Sequence, residues 1–493
     1  MTFDGARPAF GRAKHLCSSL RMPANGLSMT ASRRGLRRRF VGWALLLLIS
    51  PVLAAAQGGG QQGSPSMPSM SMPASPDPGG PASSDPEPGA SVMSMQPQDF
   101  LEAITAHTSS GTSVEPDSTP APMLMTMKGS WMPMFHANVF ITDEQESSPR
   151  GRDKLFSTNW FMPMAQRGLG RGVFTLRTML SLEPATITGR QYPLLFQQGE
   201  TAFGLPIADA QHPHNFFMEV AALYDLKLGS KALLSLYVAP VGDPAIGPTA
   251  YPHRASAMED PVGTLGHHQE DSTHISYEVV TAGLTYRIVR IEASGFHGRE
   301  PNENRWTIHQ GAIDSWSTRL TLQPGKNWSG QYSYARIASP EALFPKEDQE
   351  RMTASAMYNR PLHDGNWAST ILWGRTRSIP DNAIFDSYLL ESTLRFRARN
   401  YAWTRIENVE RSNELILGEA PLPPGFQEQP IGRVQAYTLG YDHDIDLIPH
   451  LASAIGAQVT TYGVPDRLKP IYGEHPVGVA VFLRLRPFSG KER

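Results

Sequence analysis

The chain has 493 residues and a formal net charge of −2, and 18% of its residues are charged. Its first 56 residues hold nine of the 44 Lys and Arg but one of the 46 Asp and Glu, which leaves the rest of the chain near −10. This acidic balance excludes nucleic acid as a partner. The single cysteine is Cys17, so disulfide and thiolate chemistry are excluded for the rest of the chain.

A basic stretch, a short apolar run and a group of small residues follow one another near the N-terminus. They occupy residues 33–39, 40–49 and 54–56. This order is typical of a secretory signal. The apolar run is shorter than the roughly 20 residues that a spanning helix needs, which disfavours the alternative of a membrane anchor. We therefore expect residues 1–56 to be an N-terminal extension and secretory signal peptide.

Residues 57–122 are rich in Gly, Pro, Ser, Gln and Met. This composition cannot offset the entropy of ordering, so we predict a disordered tail on the periplasmic side, with a short helix near residues 98–107. Three methionines of this tail, Met67, Met70 and Met72, are candidate metal ligands because thioether sulfur prefers soft ions such as Cu(I). Low-complexity drift is the alternative explanation.

Residues 123–493 contain many runs in which apolar and polar side chains alternate, most regularly in 173–182. A period of two predicts strands with one apolar face. Arginines recur at alternate positions, for example Arg395, Arg397 and Arg399, and such a series suits a wet lumen better than a dry core. We therefore predict an all-β fold, an antiparallel transmembrane β-barrel of about 14–16 strands in the outer membrane. A soluble all-β domain is the alternative.

The segments between the predicted strands differ in length. Short ones such as 287–288 and 324–327 predict periplasmic turns, as barrels of the outer membrane have. Five longer polar stretches are predicted to be outer loops: 183–215, 240–272, 299–314, 338–350 and 411–432.

Eight of the 15 histidines lie between residues 212 and 309. Imidazole together with carboxylate suits zinc or Cu(II). The candidate metal ligands of these loops are His212, His214, His253, His267, His268, Asp271 and His274. Hydrogen bonding within polar loops is the alternative explanation. No nucleophile elbow, phosphate-binding loop or dinucleotide motif occurs in a supporting context, so we expect neither catalytic residues nor an enzyme.

Three blocks of the chain carry a resemblance: 199–214, 266–274 and 298–306. With them, the chain from residue 131 onward resembles a family of uncharacterised, porin-like bacterial outer-membrane proteins. The resemblance implies a β-barrel and carries no activity or catalytic residue. The methionine spacing of the tail is similar to that of copper-resistance outer-membrane proteins of the B type.

Two functions follow from these patterns. The first is the handling of transition-metal ions, copper above all and zinc as the other candidate, through the tail and the histidine loops. The second is a general porin-like channel for small solutes whose loops are structural. Outer-membrane lipid is the expected surrounding in both.

Overall fold

The structure is a computed structural model. It describes residues 96–121, 123–271, 275–379, 381–448 and 451–487. The predicted signal peptide, most of the predicted tail with Met67, Met70 and Met72, and the candidate ligand His274 lie outside the described residues. No helix within these ranges is long and apolar enough to cross a membrane.

The secondary structure of the described residues is dominated by strands. The strands are β1 (Leu124–Met125), β2 (Met132–Ser147), β3 (Asp153–Phe156), β4 (Asn159–Leu169), β5 (Gly172–Leu180), β6 (Tyr192–Ala202), β7 (Leu205–Gln211), β8 (Phe217–Lys227), β9 (Ala232–Gly242), β10 (Ser276–Tyr286), β11 (Val289–His297), β12 (Ser315–Gly325), β13 (Trp328–Ile337), β14 (Asp348–Leu362), β15 (Gly365–Ile379), β16 (Ile384–Phe396), β17 (Asn400–Ser412), β18 (Pro430–Ile448), β19 (Leu451–Gly463) and β20 (Val477–Pro487). The helices are short: α1 (Phe100–Ala106), α2 (Glu183–Thr186), α3 (His267–Glu270), α4 (Glu414–Leu417) and α5 (Lys469–Tyr472).

Sixteen strands form one closed antiparallel barrel: β2, β4, β5 and β8 to β20. Strand β2 closes the circle, because Val139 lies opposite Asn159 of β4 and opposite Leu485 of β20. Closure gives every strand two hydrogen-bonded neighbours, which is what a strand needs where no water is present. The predicted barrel of 14–16 strands is therefore confirmed.

The two faces of the barrel wall have opposite chemistry. In β12, Arg319 and Gln323 are buried on the inner side, whereas Leu320 and Leu322 are exposed on the outer side. The same outward band includes Leu439, Ile371 and Ile291, with 69%, 63% and 62% of their surface exposed. A soluble barrel would bury the apolar face, and a membrane barrel presents it to lipid. The protein is an outer-membrane β-barrel of the Gram-negative type.

The connections at the two ends of the barrel differ as predicted. One end has short turns, at 170–171, 228–231, 287–288, 326–327, 363–364 and 397–399. Apart from the short link between β15 and β16, the connections at the other end have ten residues or more, among them 298–314, 338–347 and 413–429. One detail of the prediction was wrong. Strand β16 ends at Phe396, so Arg397 and Arg399 lie exposed in a turn instead of facing the lumen. The three-residue turn interrupts the period of two that the alternate arginines suggested.

Residues 96–121, which we name the plug segment, correct the predicted extent of the disordered tail. The predicted helix is present as α1, and the side chain of Asp99 caps it by accepting a hydrogen bond from the amide of Glu102. Phe100 and Ile104 are buried against Leu233 of the barrel wall. Composition alone predicted disorder because the apolar partner of this segment lies more than a hundred residues away in the sequence.

Two of the predicted outer loops fold into the barrel. The first is the lumen hairpin, residues 182–216, which contains β6 and β7 and packs Leu195 and Phe196 against Val434 of β18 and Tyr472 of α5. The second is the inner loop, residues 243–271, which is buried along nearly its whole length. Both lie inside because each offers apolar or charged groups that the wall complements.

The outward position of Leu439 gives a direct test of the membrane assignment. Leu439→Arg places a charge in the middle of β18, facing lipid, and we expect it to lower the free energy of unfolding by about 2–4 kcal/mol. The measurement is a urea titration of the barrel folded into lipid vesicles, with Leu439→Ala as the control for lost side-chain volume. Equal effects of the two substitutions would contradict a lipid-facing position.

Candidate functional site

The inner wall of the barrel carries buried charges that form ion pairs. Arg177 of β5 makes two contacts with Glu219 of β8, at nitrogen-to-oxygen distances of 2.7 and 2.8 Å. Arg319 of β12 pairs with Glu292 of β11 at 2.9 Å. Removing a charge from water is costly unless the charge is paired and hydrogen-bonded. The segments that fold into the lumen supply a large part of that pairing.

The plug segment is bound to the wall by backbone acceptors. Arg177 donates hydrogen bonds to the carbonyl oxygens of Ser109, at 2.6 Å, and Gly111. The amide of Gly111 in turn donates to the carboxylate of Glu219 at 3.0 Å. Farther along, Arg319 donates to the hydroxyl of Thr112 at 2.8 Å. The plug segment therefore crosses the lumen while it is hydrogen-bonded to the wall. These hydrogen bonds replace the ones that a tail in solution would make with water.

The inner loop crosses the lumen in the same way and contacts strands on several sides of the barrel. Arg254 forms ion pairs with Glu391 of β16 and with Asp271 of the loop itself. Glu259 of the loop pairs with Arg486 of β20 at 2.8 Å and also with its neighbour Arg484. Because these anchors lie on different strands, the loop spans the interior instead of lining one wall.

The plug segment and the inner loop meet inside the barrel. A Cβ atom added at Gly111 would lie 2.5 Å from the Cβ of Asp243, closer than two such atoms can approach. A cavity of about 10 Å³ remains between the two segments, lined among others by Thr112 and Ile246, and it is large enough for about one water molecule. Burial together with the nearby Glu219 raises the pKa of Asp243 well above its usual range. The plug segment and the inner loop are therefore in direct contact inside the lumen.

Three potential metal ligands converge at the long-connection end of the lumen. Among the residues that the structure describes, Glu200, His212 and His268 offer ligand atoms that all lie within 4.8 Å of one another. The Nε2 atom of His212 lies 3.0 Å from a carboxylate oxygen of Glu200. Glu200 and His212 belong to the lumen hairpin, and His268 lies in α3 of the inner loop. We name this group the two-histidine cluster.

The neighbours of the two-histidine cluster fix its side chains. Arg305 contacts the second carboxylate oxygen of Glu200 at 3.1 Å, and the Nδ1 atom of His212 lies 2.9 Å from the carbonyl oxygen of Pro213. Burial lowers the pKa of His212 and, with the help of the neighbouring His267, also that of His268. Burial alone would raise the pKa of Glu200, but His212 and Arg305 outweigh it and lower that pKa. Two imidazoles and a carboxylate form a suitable donor set for a metal ion.

Buried carboxyl groups surround this end of the lumen. Burial and the neighbouring carboxyls raise the pKa values of Glu341, Glu414 and Glu428 to about 8. Burial and the nearby Glu200 also raise the pKa of Glu300. Groups of this kind exchange protons near neutral pH and attract cations when they ionise.

The other predicted ligands do not join the two-histidine cluster. His214 contacts the carboxylate of Glu183 at 2.9 Å, and His267 contacts Asp271 at 2.6 Å. The Nε2 atom of His253 lies 3.2 Å from the sulfur of Met179. These four predicted residues (His214, His253, His267 and Asp271) form separate contacts, because their segments turn them toward different partners.

Sequence reasoning missed two features of the lumen. Glu200 was not selected because it lies twelve residues before His212 in a segment that was assigned to a loop, although the hairpin signal Phe203-Gly204 indicates that the two strands fold back on each other. The second feature is an apolar cluster inside the barrel that contains seven methionines: Met123, Met125, Met134, Met162, Met164, Met179 and Met218. It packs beside His253, and alternation along single strands does not show that these side chains meet.

No protein-family model and no curated protein matches the chain. Solved structures of porins resemble its fold. The anion-selective porin from Comamonas acidovorans is 9% identical with a TM-score of 0.44, and covers 72% of this chain and 99% of its own. OmpF from Salmonella typhi is 8% identical with a TM-score of 0.44, over 73% and 100%. OprB from Pseudomonas putida is 8% identical with a TM-score of 0.45, over 73% and 94%. Because these values are low, the conclusions about this chain come from its own barrel and lumen.

The buried pair that holds the plug segment has a measurable consequence. Glu219→Ala leaves Arg177 buried without its carboxylate, and we expect a loss of about 3–5 kcal/mol in the free energy of unfolding. As a control, Asp348→Ala breaks an exposed pair with Arg336 and is expected to cost less than about 1 kcal/mol. Urea titration in vesicles measures both, and a cost for Glu219→Ala as small as the control would show that the pair does not hold the wall.

Proposed function

We propose that the protein is a porin-like outer-membrane channel for small solutes, and that its plug segment and inner loop hold the channel closed in the state described. A solute path is the function for which a membrane barrel of this size with a polar interior is suited.

One observation carries this proposal: the inner wall is polar, and two segments of the chain occupy the lumen by binding to its polar groups. The inner wall bears charged and hydroxyl side chains such as Arg319 and Thr321, which would also be stable in contact with water. The plug segment and the inner loop satisfy these groups largely through hydrogen bonds and ion pairs. Such contacts exchange with water at little net cost, since the net free energy of a hydrogen bond is about 1 kcal/mol. The polar contacts therefore oppose opening only weakly, and the cost of opening comes mainly from buried apolar side chains such as Phe100 and Ile104 of the plug segment and Leu265 of the inner loop.

Transition-metal handling is the second candidate function. It is favoured by one observation, the convergence of Glu200, His212 and His268 within ligand distance of one another. The part of this hypothesis that concerns copper and the methionine tail stays a prediction, because Met67, Met70 and Met72 lie outside the described residues.

The contact between Gly111 and Asp243 gives the sharpest test of the closed channel. Gly111→Ala adds a methyl group that must push the plug segment away from the inner loop. A clash of this kind costs about 1–3 kcal/mol, which would raise the open fraction by roughly 5- to 150-fold. We expect a corresponding increase in ion conductance across planar bilayers and in sugar uptake by proteoliposomes.

Gly129→Ala is the matched control. Gly129 has a φ of +64°, almost the same as the +60° of Gly111, but an added Cβ would meet nothing within 4 Å. Both substitutions carry the same backbone strain, and only one of them disturbs the closure. If neither variant nor the wild type conducts, the channel proposal is wrong. If the wild type conducts as well as Gly111→Ala, the plug segment and the inner loop do not block the passage of solutes.

A further inference from the structure

We propose that Glu200, His212 and His268 bind a divalent transition-metal ion of the zinc type, and that the bound ion fastens the lumen hairpin to the inner loop. The binding site goes beyond the proposed channel. Its effect on solute passage rests on the proposed function, so binding and passage are measured separately.

The first argument is the distance between donor atoms. A tetrahedral zinc ion with ligands at about 2.0–2.1 Å holds neighbouring donor atoms about 3.3 Å apart. The Nε2 atom of His212 and the carboxylate oxygen of Glu200 are 3.0 Å apart, and the ligand atoms of all three side chains lie within 4.8 Å of one another. Side-chain shifts of about an ångström bring the three donors to the distances that zinc requires.

The second argument is the placement of hydrogen atoms on His212. The carbonyl oxygen of Pro213 can only accept a hydrogen bond, so the Nδ1 atom that lies 2.9 Å from it carries the hydrogen. In the neutral ring, the lone pair of Nε2 then faces the carboxylate oxygen of Glu200, which also presents lone pairs. These two atoms at 3.0 Å need a cation between them, either a proton or a metal ion.

The third argument concerns the surroundings of the ligands. Metal-binding histidines usually donate their other ring hydrogen to a carbonyl or carboxylate, as His212 does to Pro213. Arg305 contacts one oxygen of Glu200 and leaves the other oxygen directed at His212. Two imidazoles and one carboxylate match the ligands of divalent zinc, copper, nickel or iron, and they do not match calcium or magnesium, which prefer oxygen ligands.

The positions of the three ligands in the chain determine which segments a bound metal ion would connect. Glu200 lies in β6 and His212 directly after β7, both in the lumen hairpin, whereas His268 lies in the inner loop more than fifty residues later. A metal ion that binds all three therefore links two separate segments of the chain inside the lumen. Because the ion binds the folded arrangement, it stabilises the closed state by mass action.

The binding test uses Zn²⁺ alone and residues 57–493, the chain without the predicted signal peptide, folded in detergent and freed of metal with a chelator. Titration calorimetry is expected to give one zinc per chain for the wild type. Glu200→Gln, His212→Ala and His268→Ala are each expected to weaken binding by roughly tenfold or more. His363→Ala is the matched control, because His363 lies exposed in a turn at the opposite end of the barrel and its loss leaves binding unchanged.

Two outcomes of this titration overturn the site: no zinc binding by the wild type, or equal binding by the wild type and all three ligand variants. Glu200→Gln keeps the size of the side chain, and the shifted gel mobility of the folded barrel checks each variant for folding. Loss of binding in the folded ligand variants with retention in His363→Ala supports the site.

The closing effect is tested in the Gly111→Ala background. Zinc is expected to lower the conductance of Gly111→Ala and to leave that of Gly111→Ala combined with Glu200→Gln unchanged. An equal response of the two variants overturns the fastening role and leaves the binding result standing. If Gly111→Ala does not conduct, the proposed channel fails, and zinc-dependent thermal stabilisation that is absent from Glu200→Gln then decides whether the ion fastens the two segments.

Discussion

The structure depends on the need to satisfy polar groups that the surrounding lipid cannot satisfy. In the wall, this need closes sixteen strands into a ring, because an unpaired strand edge would leave amides and carbonyls in hydrocarbon. The alternation along each strand then places charges such as Arg177 and Glu219 inside the ring. These charges need partners, and the plug segment and the inner loop provide hydrogen-bond acceptors and counter-charges for them. The filled lumen is thus a consequence of the polar wall.

The nature of these contacts links the fold to the proposed channel. A lumen filled by apolar packing would be difficult to open, whereas ion pairs and hydrogen bonds can be replaced by contacts with water. The apolar methionine cluster, the packing of Phe100 and Ile104, and the packing of Leu195 and Phe196 of the lumen hairpin are the exceptions, and they anchor parts of these segments to the wall. The two-histidine cluster lies between the hairpin and the inner loop, where one ion acts on both segments.

The barrel was predictable from the sequence and most of the lumen was not. Strand alternation is a local property, so runs such as 173–182 predicted strands that the structure confirms as β5. Two of the seven predicted loop ligands, His212 and His268, lie together, but their third neighbour Glu200 was missed because its position depends on a hairpin within a predicted loop. The alternate spacing of arginines also gave a wrong prediction at Arg397 and Arg399, which lie in a turn and not on a strand that faces the lumen. A turn and a continuing strand can have similar local composition.

By itself, the sequence determined the class of the protein. The chain is acidic and rich in strands whose apolar and polar side chains alternate, and a barrel that exposes its apolar face to lipid is the stable structure for such a chain. Only the tertiary structure decided what fills the barrel. Whether a polar loop extends into solvent or folds inward depends on complementary groups on distant strands, as Arg254 depends on Glu391 and Gly111 on Arg177 and Glu219. These pairings join residues that are separated by 66 to 137 positions, and no local pattern encodes them.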